Sequence, residues 1–204
     1  MFARGSSTWL ASPLALAVVF MSVSFWLKSA IGYVISALLF LFTIFMAVFF
    51  RDPERDVGEG VVSPADGRIA FVDEANRKLS IVMGLRHVHV TRAPHAGEVL
   101  SVRRESGRHR PAYKDVSGTN ERVEIVISSG LGVFSVTLIT GIVARRILPY
   151  VKVGDKLRKG ERMGIIRFGS RVDLLLPESC RIISTLDMKV KAGESQIAEV
   201  VDEG

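Results

Sequence analysis

The pattern of apolar and polar positions divides the chain in two. From Trp9 to Leu27, and again from Ala30 to Phe50, no charged residue occurs; Lys28 and Ser29 separate the two runs. Each run is close to the roughly 20 residues that a helix needs to cross a bilayer. A cleaved signal peptide would explain the first run alone. The second run, following at once, and the lack of a short apolar core with a small-residue cleavage site favour a hairpin of two helices. Arg4 precedes the pair and Arg51 and Arg55 follow it, so the positive-inside rule places both ends on the cytoplasmic side. Helices lying in the membrane plane are the alternative.

After Arg51 the period changes. Short apolar runs are punctuated by the turn signals "PADG", "RAPHAG", "SSGLG", "KVGD", "RKGE", "LPES" and "KAGE". The expected fold is mainly β: a barrel-sandwich-like β domain (residues 51–204) preceded by two N-terminal hydrophobic helices, transmembrane or membrane-inserted (residues 1–50). The β region also repeats itself. "SPADGRIAFV", "RAPHAGEVLSV" and "LLPESCRIISTL" share a Pro-led turn running into a strand, and "VKVGDKLRKGERMGII" and "MKVKAGESQIAEV" share a Val-Lys-x-Gly turn. Interleaved half-motifs of this kind also build biotinyl and lipoyl carrier domains. Lys189, however, directly precedes its glycine turn instead of standing between the half-motifs, which argues against a carrier. The stretch from Arg103 to Glu121 is polar and basic and reads as a strandless loop.

Composition adds three constraints. The 204 residues are 48% hydrophobic and 24% charged, which is coherent only because the two kinds are segregated along the chain. The single cysteine, Cys180, rules out an internal disulfide or an all-cysteine metal cage. A net charge of +6 suits nucleic acid or an anionic lipid surface, and the apolar start favours the membrane over nucleic acid.

The candidate chemistry lies in "RFGSRVDLLLP", Arg167 to Pro177, which reads as one strand. At a period of two, Ile166, Phe168, Ser170, Val172, Leu174 and Leu176 share a face, and Arg167, Arg171 and Asp173 take the other. A serine hydroxyl on the apolar face, preceded by glycine, can attack the carbonyl of its own preceding peptide bond. Glycine leaves that carbonyl uncrowded and its backbone free to distort. The resulting ester, after elimination and hydrolysis, leaves a pyruvoyl terminus. A base must take the hydroxyl proton and donors must hold the oxyanion. The alternative is a bulge glycine beside a serine bonded to a neighbouring strand.

Four segments in order, "SPADGRI" (63–69), "HVHVTRAPHAGEV" (87–99), "NERVEI" (120–125) and "GERMGIIRFGSRVDLLLP" (160–177), resemble the phosphatidylserine decarboxylase proenzymes of the short form. The resemblance spans nearly the whole chain, and Phe-Gly-Ser-Arg-Val-Asp is its most specific part. It implies self-cleavage between Gly169 and Ser170 into a β chain (1–169) and an α chain (170–204) that stay together as a heterodimer. It further implies that Ser170 becomes the pyruvoyl cofactor, which forms a Schiff base with the amine of a serine phospholipid and releases the ethanolamine lipid. Asp66 and His89 match the acid and histidine that serve Ser170 in processing, and His89 also matches the helper in decarboxylation. The match departs at His87, where acidic residues are common, and at Arg92, where longer forms carry a second histidine. Arg103, Arg104 and Arg108 are candidates for holding the lipid phosphate. His87 and His89 share a strand face, but no further ligand is spaced nearby, so no metal is expected. His95 and His109 read as solvated loop residues. Phosphatidylserine and archaetidylserine are equally compatible, and a membrane-anchored binding or assembly module with an inert Ser170 is the non-enzymatic alternative.

Overall fold

The computed structural model describes residues 1–107, 120–141, 146–167 and 170–201. It forms two compact units, Met1–Glu54 and Arg55–Gly204.

The first unit is a helical hairpin of α1 (Ser7–Leu27) and α2 (Ala30–Phe49). Lys28, at φ +50°, ends α1 in the left-handed conformation, and the Ser29 hydroxyl accepts the Gly32 N–H to start α2. The helices approach closely where side chains are small: a Cβ on Gly32 would fall 1.9 Å from Ser24 Oγ. Ser36 Oγ donates to the Ala17 carbonyl across the pair at 2.7 Å. The two ends meet, with Ala3 N–H on the Phe50 carbonyl and Asp52 N–H on the Met1 carbonyl, each at 2.9 Å. Both helices are long and apolar enough to cross a membrane. Large apolar side chains such as Phe25, Trp26, Leu38 and Leu41 point outward, as a lipid-facing surface requires.

The second unit is built from strands. In chain order they are β1 (Val61–Val62), β2 (Gly67–Asp73), β3 (Lys78–Met83), β4 (Val90–Arg92), β5 (Gly97–Glu105), β6 (Arg122–Ser129) and β7 (Gly132–Thr140). They continue with β8 (Ile147–Pro149), β9 (Lys156–Leu157), β10 (Arg162–Ile166), β11 (Ser170–Leu175), β12 (Cys180–Ile182), β13 (Lys189–Val190) and β14 (Gln196–Val200). A curled antiparallel sheet has the order β13-β2-β3-β11-β7-β6-β5-β9; two three-stranded sheets, β4-β10-β8 and β1-β14-β12, complete the unit. Alternate residues of β6 and β7 point inward, so Val123, Ile125, Ile127, Phe134, Val136 and Leu138 join Ile81, Val172 and Leu174 in a core without solvent contact. The fold is thus mainly β, preceded by two apolar helices, as the periodicity predicts.

The sequence repeat has a structural counterpart at a constant offset of 30 residues. Val62 N–H bonds the Pro94 carbonyl at 3.0 Å, and Arg92 N–H bonds the Pro64 carbonyl at 2.9 Å, a reciprocal exchange between equivalent positions. Gly67 opens β2 and Gly97 opens β5. A Cβ at Gly67 would lie 2.4 Å from the Val82 carbonyl oxygen, and one at Gly97 would lie 2.3 Å from that of Ser128. Each strand then shifts register once, between Ile69 and Phe71 in β2 and between Val99 and Ser101 in β5.

Two expectations are corrected. Arg103 to Glu105 are not loop but the end of β5, because charge replaces apolar alternation there. Arg103 pairs with Glu124 at 2.8 Å, and Arg122 Nε donates to Glu105 at 2.7 Å across the ladder. "RFGSRVDLLLP" is not one strand either. Its upstream neighbour β10 ends at Ile166, paired with β4 and β8, while β11 begins at Ser170, paired with β3 and β7. Phe168 and Gly169 lie outside the described residues.

Two outcomes test this packing. Gly67→Ala and Gly97→Ala should each lower stability by about 1–3 kcal/mol in urea titrations, because a carbonyl must move. Gly130→Ala, with nothing within 4 Å of its Cβ position, should stay within about 0.5 kcal/mol. Cys180 is buried, and burial pushes its thiol up from the ordinary range. It should therefore resist iodoacetamide at mildly alkaline pH until the chain is unfolded, as read by mass spectrometry.

Candidate active site

Ser170 is the first residue of β11 and sits between two strand ends, opposite Met83 of β3 and Thr140 of β7. Its side chain is buried and Oγ donates to Met83 Sδ at 3.0 Å, a weak acceptor for a hydroxyl. Behind it β11 is held on both sides through Leu175. On the opposite face Arg171 bonds Asp173 and donates to Ser80 Oγ at 2.9 Å. These residues line an open cleft of about 530 Å3 on the outer side of the sheet, separate from the face that carries Ser170. The Thr140 strand end is fixed as well: buried Asn120 donates Nδ2–H to the Thr140 carbonyl at 2.7 Å, and Thr140 Oγ1 donates to the Glu121 carbonyl at 3.1 Å.

From Met83 the chain makes a turn and arrives at His89. Gly84 N–H donates to His87 Nδ1 at 2.8 Å, and His87 N–H to the Gly84 carbonyl at 3.0 Å. His89 is fully buried, and its Nδ1 lies 2.9 Å from the His87 carbonyl oxygen. A carbonyl only accepts, so Nδ1 carries the hydrogen and the basic nitrogen of neutral His89 is Nε2. The His89 carbonyl in turn accepts Ile166 N–H at 3.2 Å, tying the histidine to the end of β10. Both flanks of the Gly169–Ser170 region therefore meet the segment from Met83 to His89.

Asp66, in the turn before β2, accepts the Val88 N–H on Oδ2 at 3.3 Å and the Ala192 N–H on Oδ1 at 2.8 Å. Arg55 bridges both of its oxygens at 2.9 Å. The carboxylate thus grips the backbone between the two histidines. The partner that sets the Nδ1 hydrogen is the His87 carbonyl, while Asp66 holds backbone N–H groups and Arg55.

The other expected residues are dispersed. Arg103 and Arg104 lie on β5, paired with Glu124 and with Glu121, and Arg104 also donates to the Ile147 carbonyl. Arg108 and His109 lie outside the described residues. Arg92 is buried with Nη1 on the Gly160 carbonyl at 3.1 Å. His95, expected to be solvated, is half-buried, stacked on Phe134 and bonded to Ser129 Oγ.

A sequence model described as phosphatidylserine decarboxylase matches residues 42–198. An archaetidylserine decarboxylase proenzyme of Archaeoglobus fulgidus is 49% identical, with 83% of this chain and 87% of that protein covered. One of Methanosarcina barkeri is 38% identical over 98% of this chain and 99% of its own. A phosphatidylserine decarboxylase proenzyme of Streptomyces coelicolor is 41% identical, with 96% and 90% covered. The chain belongs to the phosphatidylserine decarboxylase family. Membership makes it a carboxy-lyase of that family's type.

Two supports of this candidate site give no sign of it in the sequence. Arg55 reads locally as a topogenic charge, and nothing among the 27 Lys and Arg residues marks it as the partner of a buried carboxylate. Asn120 stood inside a recognised motif without a role. Asn120→Ala should cost about 1–3 kcal/mol in urea titrations, since the buried Thr140 carbonyl loses a donor.

Proposed function

We propose that the chain cleaves itself between Gly169 and Ser170 and then decarboxylates a membrane serine phospholipid to the corresponding ethanolamine lipid. The observation that carries this reading is the position of Ser170. It is a buried hydroxyl at the first residue of a strand clamped on both sides, immediately after the chain has left another sheet.

In processing, His89 Nε2 takes the Ser170 hydroxyl proton as Oγ attacks the Gly169 carbonyl carbon. The C–N bond breaks and an ester forms, with the proton delivered to the released Ser170 nitrogen. Removal of the Ser170 α-proton expels the ester oxygen. The Gly169 carboxylate then ends the β chain, and the dehydroalanine left at residue 170 loses ammonia to water to become pyruvoyl.

The residues present fit such a group. It would start β11, whose ladder to β3 and β7 holds the chain behind it, with Met83 and Thr140 as its cross-strand neighbours. Once formed, the pyruvoyl supplies an electron sink for the pair left behind as carbon dioxide departs. His89, held in one tautomer by the His87 carbonyl, is the residue to return a proton to the substrate α-carbon. The cut chains remain joined as a heterodimer because β11, β12, β13 and β14 each pair within the folded unit. The two apolar helices anchor the enzyme in the membrane that contains its substrate, with the β unit on the cytoplasmic side. The substrate is phosphatidylserine or archaetidylserine, which share the head group that reacts. Arg103, Arg104 and Arg108 remain the proposed phosphate contacts.

Intact mass of the purified protein is expected to give two fragments, 1–169 and 170–204, the second with a blocked terminus that hydrazine derivatises. Ser170→Ala is expected to stay whole and to release no carbon dioxide from either lipid. Cleavage of that variant would end this reading. His89→Ala should slow both processing and turnover by about 10²–10⁴-fold.

A further inference from the structure

Arg55 is the first residue of the β unit, and its guanidinium lies flat across Asp66, Nη1 to Oδ1 and Nη2 to Oδ2, both at 2.9 Å. Its side chain is 6% exposed and that of Asp66 is 9%, so this is a pair withdrawn from water. Such pairs hold only when the geometry is good and the remaining lone pairs are satisfied. Here both conditions are met by residues of the site. The carboxylate lone pairs not used by Arg55 accept Val88 N–H and Ala192 N–H. Arg55 itself reaches the Ala192 carbonyl at 3.3 Å and Glu194 at 3.6 Å.

Val88 stands between His87, whose carbonyl bonds His89 Nδ1, and His89 itself. Ala192 lies downstream of Ser170, in the α chain that cleavage would create. We infer that Arg55 is a positioning residue for self-cleavage and decarboxylation. Its planar fork fixes the orientation of Asp66, and Asp66, through the Val88 N–H, fixes where the His89 ring stands relative to the strand that begins with Ser170. A lysine could neutralise the carboxylate but could not bridge both oxygens in one plane. The inference rests on the proposed role of His89 as the base acting on Ser170.

The test uses the full-length chain, with the appearance of the two fragments followed over time and folding monitored by thermal melting. Arg55→Ala is expected to fold and to cleave about 10²-fold more slowly, the scale of a misplacement of about 1 Å in a reacting group. Millimolar guanidinium ion should restore much of that rate in Arg55→Ala and none in Ser170→Ala. A purely structural role predicts neither a slow folded variant nor its rescue by a small planar cation. Should Arg55→Ala fail to fold, Arg55→Lys decides, with a native melting curve and slowed cleavage expected. Wild-type cleavage in the folded variant, or slow cleavage indifferent to guanidinium, overturns the inference. A wild-type chain that stays whole overturns the self-cleavage reading instead, so the two failures are distinct.

Discussion

A backbone amide inside a β-ladder is held by its neighbours at both N–H and C=O, which is a poor state from which to rearrange it. The self-cleavage proposed above would need the ladder to pause while both sides of the pause stay rigid. The β unit has such a break in its ladder. β10 ends at Ile166 in one sheet and β11 starts at Ser170 in another. The last paired residue before the pause is bonded to the His89 carbonyl, and the first residue after it is bonded to Met83, from which the chain leads to the same histidine. Ile166 and Ser170, on either side of the change of sheet, are thus both tied to the single segment from Met83 to His89.

Charge placement follows from the same arrangement. A buried carboxylate is costly unless its oxygens are occupied. Those of Asp66 are occupied by one guanidinium and two backbone N–H groups drawn from three separate parts of the sequence. The pair therefore acts less as a source of net stability than as a joint that lets those parts share one geometry. The polar outer face of the sheet, with Arg171, Asp173, Lys78 and Ser80, is satisfied within itself and keeps β11 in register without entering the serine's environment.

Much of this was legible in the linear chain because it depended on local signals. Two uncharged runs around Lys28 and Ser29 marked the helices, and recurring Pro-led turns marked strand starts at Gly67, Gly97 and Cys180. What escaped were features decided by distant partners. The end of β5 looked like loop because Arg103 and Arg104 are strand residues only by virtue of Glu124 and Glu121 on or beside the next strand. The change of sheet before Ser170 was invisible to periodicity, since Ile166, Ser170, Val172 and Leu174 are all buried and fall on one period of two across it. Arg55 gave no local sign of its partner, which is 11 residues away in sequence and in a different turn.

The reciprocal bonds that link Val62 to Pro94 and Arg92 to Pro64 make the interior a pair of near-duplicate halves. Yet the duplicates are not chemically alike: where one half has Asp66, the other has Ala96 at the matching place. The repeated turn therefore fixes its proline and its glycine, while the residue just before that glycine can be an acid in one copy and a methyl group in the other.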